Sequence, residues 1–167
     1  MKVIMYMAIT ANGMIATSDD DTPWSKKEFE SFHSMVRKHK NITVGRKTYE
    51  LMKEANDFKN CGNPFTVVLS RHNNKSNDAI FVSTPKAALK IMASKGFREV
   101  LIEGGAKANT AFLSENLVDE IILDIEPMIF GKGINLLAES NVSKRLKLLG
   151  IRKFSANELQ VHYKVLK

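Results

Sequence analysis

The sequence predicts an α/β fold of three layers (αβα), with helices on both faces of a mixed, mostly parallel central sheet that closes with an antiparallel strand pair. Three observations predict it. Apolar, strand-like runs alternate with helical stretches through the first two-thirds of the chain. Residues 146–151 and 159–165 then follow as two strands with no helix between them. Three of the earlier runs end in anion-friendly residues, which suits the carboxyl ends of strands where open α/β sheets bind ligands.

Residues 2–9 are almost continuously apolar, as in a strand buried on both faces. Thr-Ala-Asn-Gly at 10–13 breaks that run with a turn, and 14–16 are short and apolar. The acidic run at 18–22 lacks the alternating ligands, glycine and closing glutamate of a calcium loop. Pro23 and Trp24 lead into a helix whose N-cap is Ser25, with Glu28 three residues on as in a capping box. Phe29, Phe32, Met35 and Val36 form its apolar stripe. Glu28 lies at the margin of that stripe. It is either the reciprocal cap on Ser25 or a carboxylate at the rim of a pocket beside Trp24.

A strand at 41–44 runs through a turn at 45–48 into a helix at 48–55, followed by a polar loop at 56–64. A strand at 65–70, a basic loop at 71–75 and a short strand at 80–82 come next. Ser83, Thr84 and Pro85 open a helix that Gly96 closes. The strand at 99–102 runs through Gly104 and Gly105 into a helix from Ala106 to about residue 115. Residues 119–127 alternate and are rich in β-formers, and 130–133 form a turn before the closing pair.

A chain of 167 residues suits one domain over 1–167. The single Cys61 excludes an internal disulfide and points to a reducing compartment. His33, His39, His72 and His162 have no zinc spacing, so no metal is expected. The apolar start is too short to span a membrane and reads as a strand rather than a signal peptide, so a cytoplasmic protein with no membrane partner is expected. The net charge of +7 is dispersed, with no arginine-rich arm and no aromatic–basic alternation, which argues against nucleic acid.

The three strand ends are Gly45, Arg46, Lys47 and Thr48; Ser70 and Arg71; and Gly104, Gly105 and Ala106. Glycines admit close backbone approach, and a helix N-terminus favours a diphosphate. Taken alone, Gly104 and Gly105 suit a plain strand-to-helix turn as well as a phosphate cradle. Together the three ends describe a cleft for NADPH, with Arg46, Arg71 and Lys47 around its 2′-phosphate. The G-x-G-x-x-G pattern of the Rossmann fingerprint is absent.

Asn12 to Ala16, Pro23 and Trp24, Glu28-Phe29 with Phe32, Val44 to Glu50, Val68 to Ser70 and Ile102 to Gly105 occur in the order seen in dihydrofolate reductases. In this the chain resembles that superfamily over nearly its whole length. Its later run, from Gly104 through Leu117 to Ile121 and Phe130 to Ile134, is closer to the sister group, the pyrimidine reductases of riboflavin biosynthesis (RibD C-terminal domain). The resemblance implies an NADPH-dependent reductase whose first expected reaction is 7,8-dihydrofolate to tetrahydrofolate, with 5-amino-6-(5-phosphoribosylamino)uracil as the alternative substrate. A non-catalytic nucleotide- or nucleic-acid-binding module is the remote alternative. It also implies roles for single residues. Glu28 is the active-site carboxylate, with Trp24 in the catalytic group. Tyr6, Ala8, Phe32 and Asp124 line the substrate. Ala8, Ile15 and Thr48 touch the cofactor. Two departures from dihydrofolate reductases stand out. Only Lys59 is available for the arginine that clamps the folate glutamate, and Asp124 replaces a threonine. A monomer or homodimer is expected.

Overall fold

The computed structural model describes residues 1–72 and 76–167. Its central sheet begins with β1 (Lys2–Thr10), flanked in parallel by β6 (Glu99–Ile102) and β7 (Glu120–Glu126). Beyond β6 lie β3 (Asn41–Gly45), β4 (Phe65–Leu69) and β5 (Ile80–Val82), all parallel. Beyond β7 lie β10 (Leu159–Leu166) and β9 (Arg145–Lys153), joined antiparallel, giving the order β5-β4-β3-β6-β1-β7-β10-β9. A separate ribbon pairs β2 (Met14–Thr17) with β8 (Gly133–Asn135). The mixed, mostly parallel sheet and its closing antiparallel pair are those expected.

Strand periodicity divides the core in two. Val3, Met5, Val67, Val100, Ile102 and Ile121 point to one face, where they pack with residues of α4 (Pro85–Ser94) and α5 (Ala106–Ser114). Their neighbours Ile4, Tyr6, Val68, Leu101 and Ile122 point to the other face. There they meet α1 (Lys26–His39), α2 (Arg46–Glu54) and α3 (Asp57–Asn60). Helices therefore cover both faces, as the near-continuous apolar strands required.

Three local expectations need correction. The helix expected at 48–55 begins at Arg46, because Gly45 is already its N-cap in extended backbone and its N–H is taken by Gly104 O (2.7 Å). The loop expected at 56–64 contains α3, whose Phe58 packs on Tyr49 with ring centroids 5.4 Å apart. Gly133 is part of the ribbon rather than only of a turn. A Cβ there would sit 2.5 Å from the Ala16 carbonyl, so the close pass of β8 against β2 requires glycine. Of the basic loop expected at 71–75, residues 73–75 lie outside the described residues. Among the described residues no helix is long and apolar enough to cross a membrane, and no His, Cys, Asp and Glu side chains cluster as a metal site.

Candidate functional site

A cleft of about 1150 Å³ opens at the carboxyl ends of β1, β3, β4 and β6. Its lining includes Tyr6, Ala8, Ile15, Trp24, Glu28, Phe32, Gly45, Arg46, Lys47, Thr48, Ser70, Arg71, Gly105 and Ala106. The fold thus gathers into one cavity nearly all the residues singled out in the sequence. The topology explains this. β6 lies between β1 and β3, so strand ends separated by about 100 residues become neighbours.

One end of the cleft suits an anion. Gly104 has φ +77°, a conformation that favours glycine, and a Cβ there would sit 3.0 Å from Met7. α5 starts directly after Gly105, and the N–H groups of Ala106 and Lys107 have no acceptor among the described residues. A second helix, α2, starts beside it at Arg46. Two helix N-termini therefore present partial positive charge to the same space.

Several details of this end differ from expectation. The Gly105 N–H donates to Thr48 Oγ1 (2.8 Å), so that bond holds α2 against the glycine turn instead of leaving the N–H to a ligand. Gly104 is not in the lining; its carbonyl ties the turn to β3 through Gly45. Arg46 Nη1 donates to both carboxylate oxygens of Glu50 one turn along α2 (2.7 and 2.9 Å), and Lys47 pairs with Asp20. Both cations line the cleft already paired. Such exposed pairs are worth only about 0.2–1 kcal/mol, so a phosphate can displace them.

The other end is acidic. Ser25 caps α1 by accepting the Glu28 N–H (2.9 Å), as the capping pattern predicts. The reciprocal half of the box is missing, because the Ser25 N–H donates to Glu126 Oε1 (3.1 Å) and Ser25 Oγ donates to Glu158. The Glu28 carboxyl is therefore free of capping duty. It is 3% exposed and lines the cleft. Burial first, then the charges of Asp124, Glu126, Glu158 and Asp57, push it up to about 8.

Asp124 requires a correction. It is 0% exposed and absent from the lining, held by Tyr6 Oη (2.5 Å), Ser31 Oγ (2.8 Å) and Gln160 Nε2 (2.7 Å). Pairing with Ala8 puts its side chain on the α1 face of β7, behind Tyr6. It acts on the cleft through charge and by fixing Tyr6, whose hydroxyl burial and Asp124 drive strongly upward. Lys59 lies exposed on α3, outside the lining, so it does not replace the missing arginine. Trp24 stacks on Phe130 (6.0 Å, 13°) and walls the cleft above Glu28.

The residue missed in the sequence is Glu103. It is 7% exposed, lines the cleft, and its Oε1 has no hydrogen-bond partner. Burial first, then Glu28 and Asp124, push its carboxyl well above the usual range. The available signal was a charged residue placed directly after the buried strand of residues 100–102.

The chain is similar to several known proteins. The family model described as the RibD C-terminal domain matches residues 1–159. The uncharacterized protein YwjB of Bacillus subtilis (strain 168) is 27% identical over 174 residues, covering 97% of each chain. A Caenorhabditis elegans protein provisionally named a dihydrofolate reductase is 30% identical over 135 residues, 73% of this chain and 70% of that one. Among solved structures, one from Shewanella sp. PV-4, provisionally named a riboflavin biosynthesis protein, has a TM-score of 0.82 at 19% identity over 100% of both chains. The deaminase/5-amino-6-(5-phosphoribosylamino)uracil reductase of Thermotoga maritima has a TM-score of 0.74 at 20% identity, over 99% of this chain and 56% of that one.

Proposed function

The chain belongs to the RibD C-terminal domain family, and from that premise we propose that it is an NADPH-dependent reductase of an aminopyrimidine related to those of riboflavin biosynthesis. The observation that carries the reading is the polarity of the cleft. Unpaired helix N–H groups and glycines stand at one end, and the protonated, buried carboxyl of Glu28 faces in from the other.

The residues at the anion end fit the cofactor. The N–H groups of Ala106 and Lys107 would take the diphosphate, with Gly45 and Gly105 leaving room for it. Arg71, with Arg46 and Lys47 released from their carboxylates, would hold the 2′-phosphate, and Ser70 and Thr48 line the same stretch. Ala8 and Ile15 would border the nicotinamide. NADPH supplies a hydride when bound.

The chain's part is to orient the acceptor and deliver a proton. Hydride added to the carbon of a carbon–nitrogen double bond leaves the electron pair on nitrogen, which must then be protonated. Glu28 holds that proton at neutral pH, because its carboxyl ionises only near 8. Trp24 and Phe32 flank the ring and keep water from it.

Dihydrofolate is the second reading. Trp24, Glu28 and Phe32 around one pocket favour it, as does the C. elegans relative. The family model and the structural neighbours favour the pyrimidine, and among the described residues no lysine or arginine lines the cleft beside Glu28 and Phe32 to answer for the folate glutamate. Purified protein given NADPH with the ribosylamino-pyrimidine, and separately with dihydrofolate, distinguishes them by loss of NADPH absorbance. Turnover with dihydrofolate alone refutes the pyrimidine reading, and turnover with neither refutes the reductase.

A further inference from the structure

The start of α1 is fastened by two side chains that lie far from it in sequence. The Ser25 N–H donates to Glu126 Oε1 (3.1 Å), and Ser25 Oγ donates to Glu158. Glu126 ends β7, and Glu158 immediately precedes β10 in the turn that follows β9. That turn is itself fixed. The Phe154 N–H donates to the Glu158 carbonyl (3.2 Å), and the Glu158 N–H donates to Ser155 Oγ (3.2 Å). Ser25 thereby ties α1 to β7 and to the β9–β10 hairpin.

A helix cap does not require this. Accepting the Glu28 N–H (2.9 Å) already satisfies the N-cap role of Ser25. Its own N–H and O–H could be left to water, because Ser25 is only half-buried. Instead both meet carboxyl groups of residues that are 3% and 4% exposed and have no lysine, arginine or histidine partner among the described residues. Burying a carboxylate is costly unless donors meet it, and what these two hold is Ser25. Two groups of the cleft depend on that residue. Trp24 precedes it, half-buried and stacked on Phe130 of the loop after β7. Glu28 follows three residues on, bound through its N–H to the same hydroxyl that Glu158 holds.

Resting on the reductase reading above, we propose that Glu126 and Glu158 are positioning residues for the reaction: clamping Ser25 from two sides, they set where Glu28 presents its carboxyl and where Trp24 stands against the ring. Neither lines the cleft, so both act through Ser25. Their charge reaches Glu28 as well. The ionisable groups around its carboxyl are Tyr6 from β1, Glu103 from the end of β6, Asp124 and Glu126 from β7, Glu158 from the hairpin, and Asp57 from α3, which His33 of α1 approaches (3.6 Å). Each negative charge among them opposes a further one on Glu28, so removing one lets Glu28 ionise at lower pH.

The test separates the bond from the charge. Glu126→Ala and Glu158→Ala remove an acceptor of the clamp. In Glu158→Gln the amide oxygen still accepts from Ser25 Oγ, and only the charge is gone. The first readout needs neither cofactor nor substrate. Trp24 is the one tryptophan of the chain, so its fluorescence reports on the residue beside the clamp. Emission should move to longer wavelength in both alanine variants and stay near that of the wild type in Glu158→Gln. Folded alanine variants with unchanged emission overturn the proposal. The second readout is NADPH turnover with whichever of the two substrates reacts. In the alanine variants kcat should fall about tenfold or more, since misplacing a group by about 1 Å can cost about 10²-fold. KM for NADPH should hold, because the cofactor end of the cleft is built from α2 and α5. Glu158→Gln should recover most of that turnover. Wild-type activity should decline as pH rises past about 8, where Glu28 loses its proton, and the decline should set in at lower pH in Glu158→Gln. An unchanged kcat in the alanine variants, or a decline that does not move in Glu158→Gln, overturns the proposal. Should the alanine variants fail to fold by circular dichroism, the position of that decline decides. If the wild type turns over neither substrate, the reductase reading falls, and Trp24 emission decides the clamp alone.

Discussion

Replacing Glu28 with glutamine should stabilise the fold and disable the chemistry. In the unfolded chain this carboxyl ionises near 4.5, whereas in the folded protein it is pushed up to about 8. Between those values the folded protein keeps a proton that the unfolded chain has lost, so stability falls as pH rises through the window. At pH 7 the cost is about 1.4 kcal/mol for each of about 2.5 pH units, or roughly 3 kcal/mol. Glutamine carries no charge to bury, and its N–H still reaches Ser25 Oγ, so the helix cap survives. The buried amide needs partners of its own and returns about 1–2 kcal/mol of that gain. The net expectation is a variant more stable by about 1–2 kcal/mol at pH 7, a rise in Tm of about 2–8 °C for a chain of this size. Urea unfolding at pH 5, 6, 7 and 8 checks it, because the wild-type decline should be shallower in the variant by about one proton. Turnover should drop about 10²-fold or more when the proton donor is lost. The reasoning is refuted if Glu28→Gln destabilises the protein by about 1 kcal/mol at every pH and keeps its activity, since that is the behaviour of a lost cap.

Two further outcomes are expected. Arg71→Ala should weaken NADPH about tenfold or more and leave NADH nearly unchanged, as measured by fluorescence titration, because loss of a charged contact to the 2′-phosphate costs about 1.5–3 kcal/mol; equal losses for both cofactors would remove Arg71 from that site. Gly133→Ala should destabilise the protein by about 1–3 kcal/mol in urea, as overpacking does, because its Cβ would meet the Ala16 carbonyl at 2.5 Å with only backbone to give way; an unchanged midpoint would mean that the β2–β8 ribbon moves freely.

Much of the fold was legible in the residues. The apolar strands, the Ser25 cap and the Pro85 start marked most elements to within two residues. α3 escaped because its four residues bury too little to leave a periodic pattern. The β2–β8 ribbon escaped because it pairs strands more than 110 residues apart, and three- and four-residue strands carry no register signal of their own.

The site divides in the same way. The sequence by itself determined which groups stand at the strand ends, because glycines before helices, hydroxyls and cations leave local signatures: Gly45 to Thr48, Ser70 and Arg71, and Gly104 to Ala106. It also marked Glu28, but left it between a cap and a pocket carboxylate. Only the tertiary structure decided that question, by giving the Ser25 N–H to Glu126, a residue 101 positions away. It likewise turned Asp124 away from the cleft beneath Tyr6 and aimed Glu103 into it without a partner. The physical reason is that a carboxylate's role depends on its desolvation and on which charges and donors surround it, and those neighbours come from β1, β6, β7 and α1, which only the folded sheet brings together.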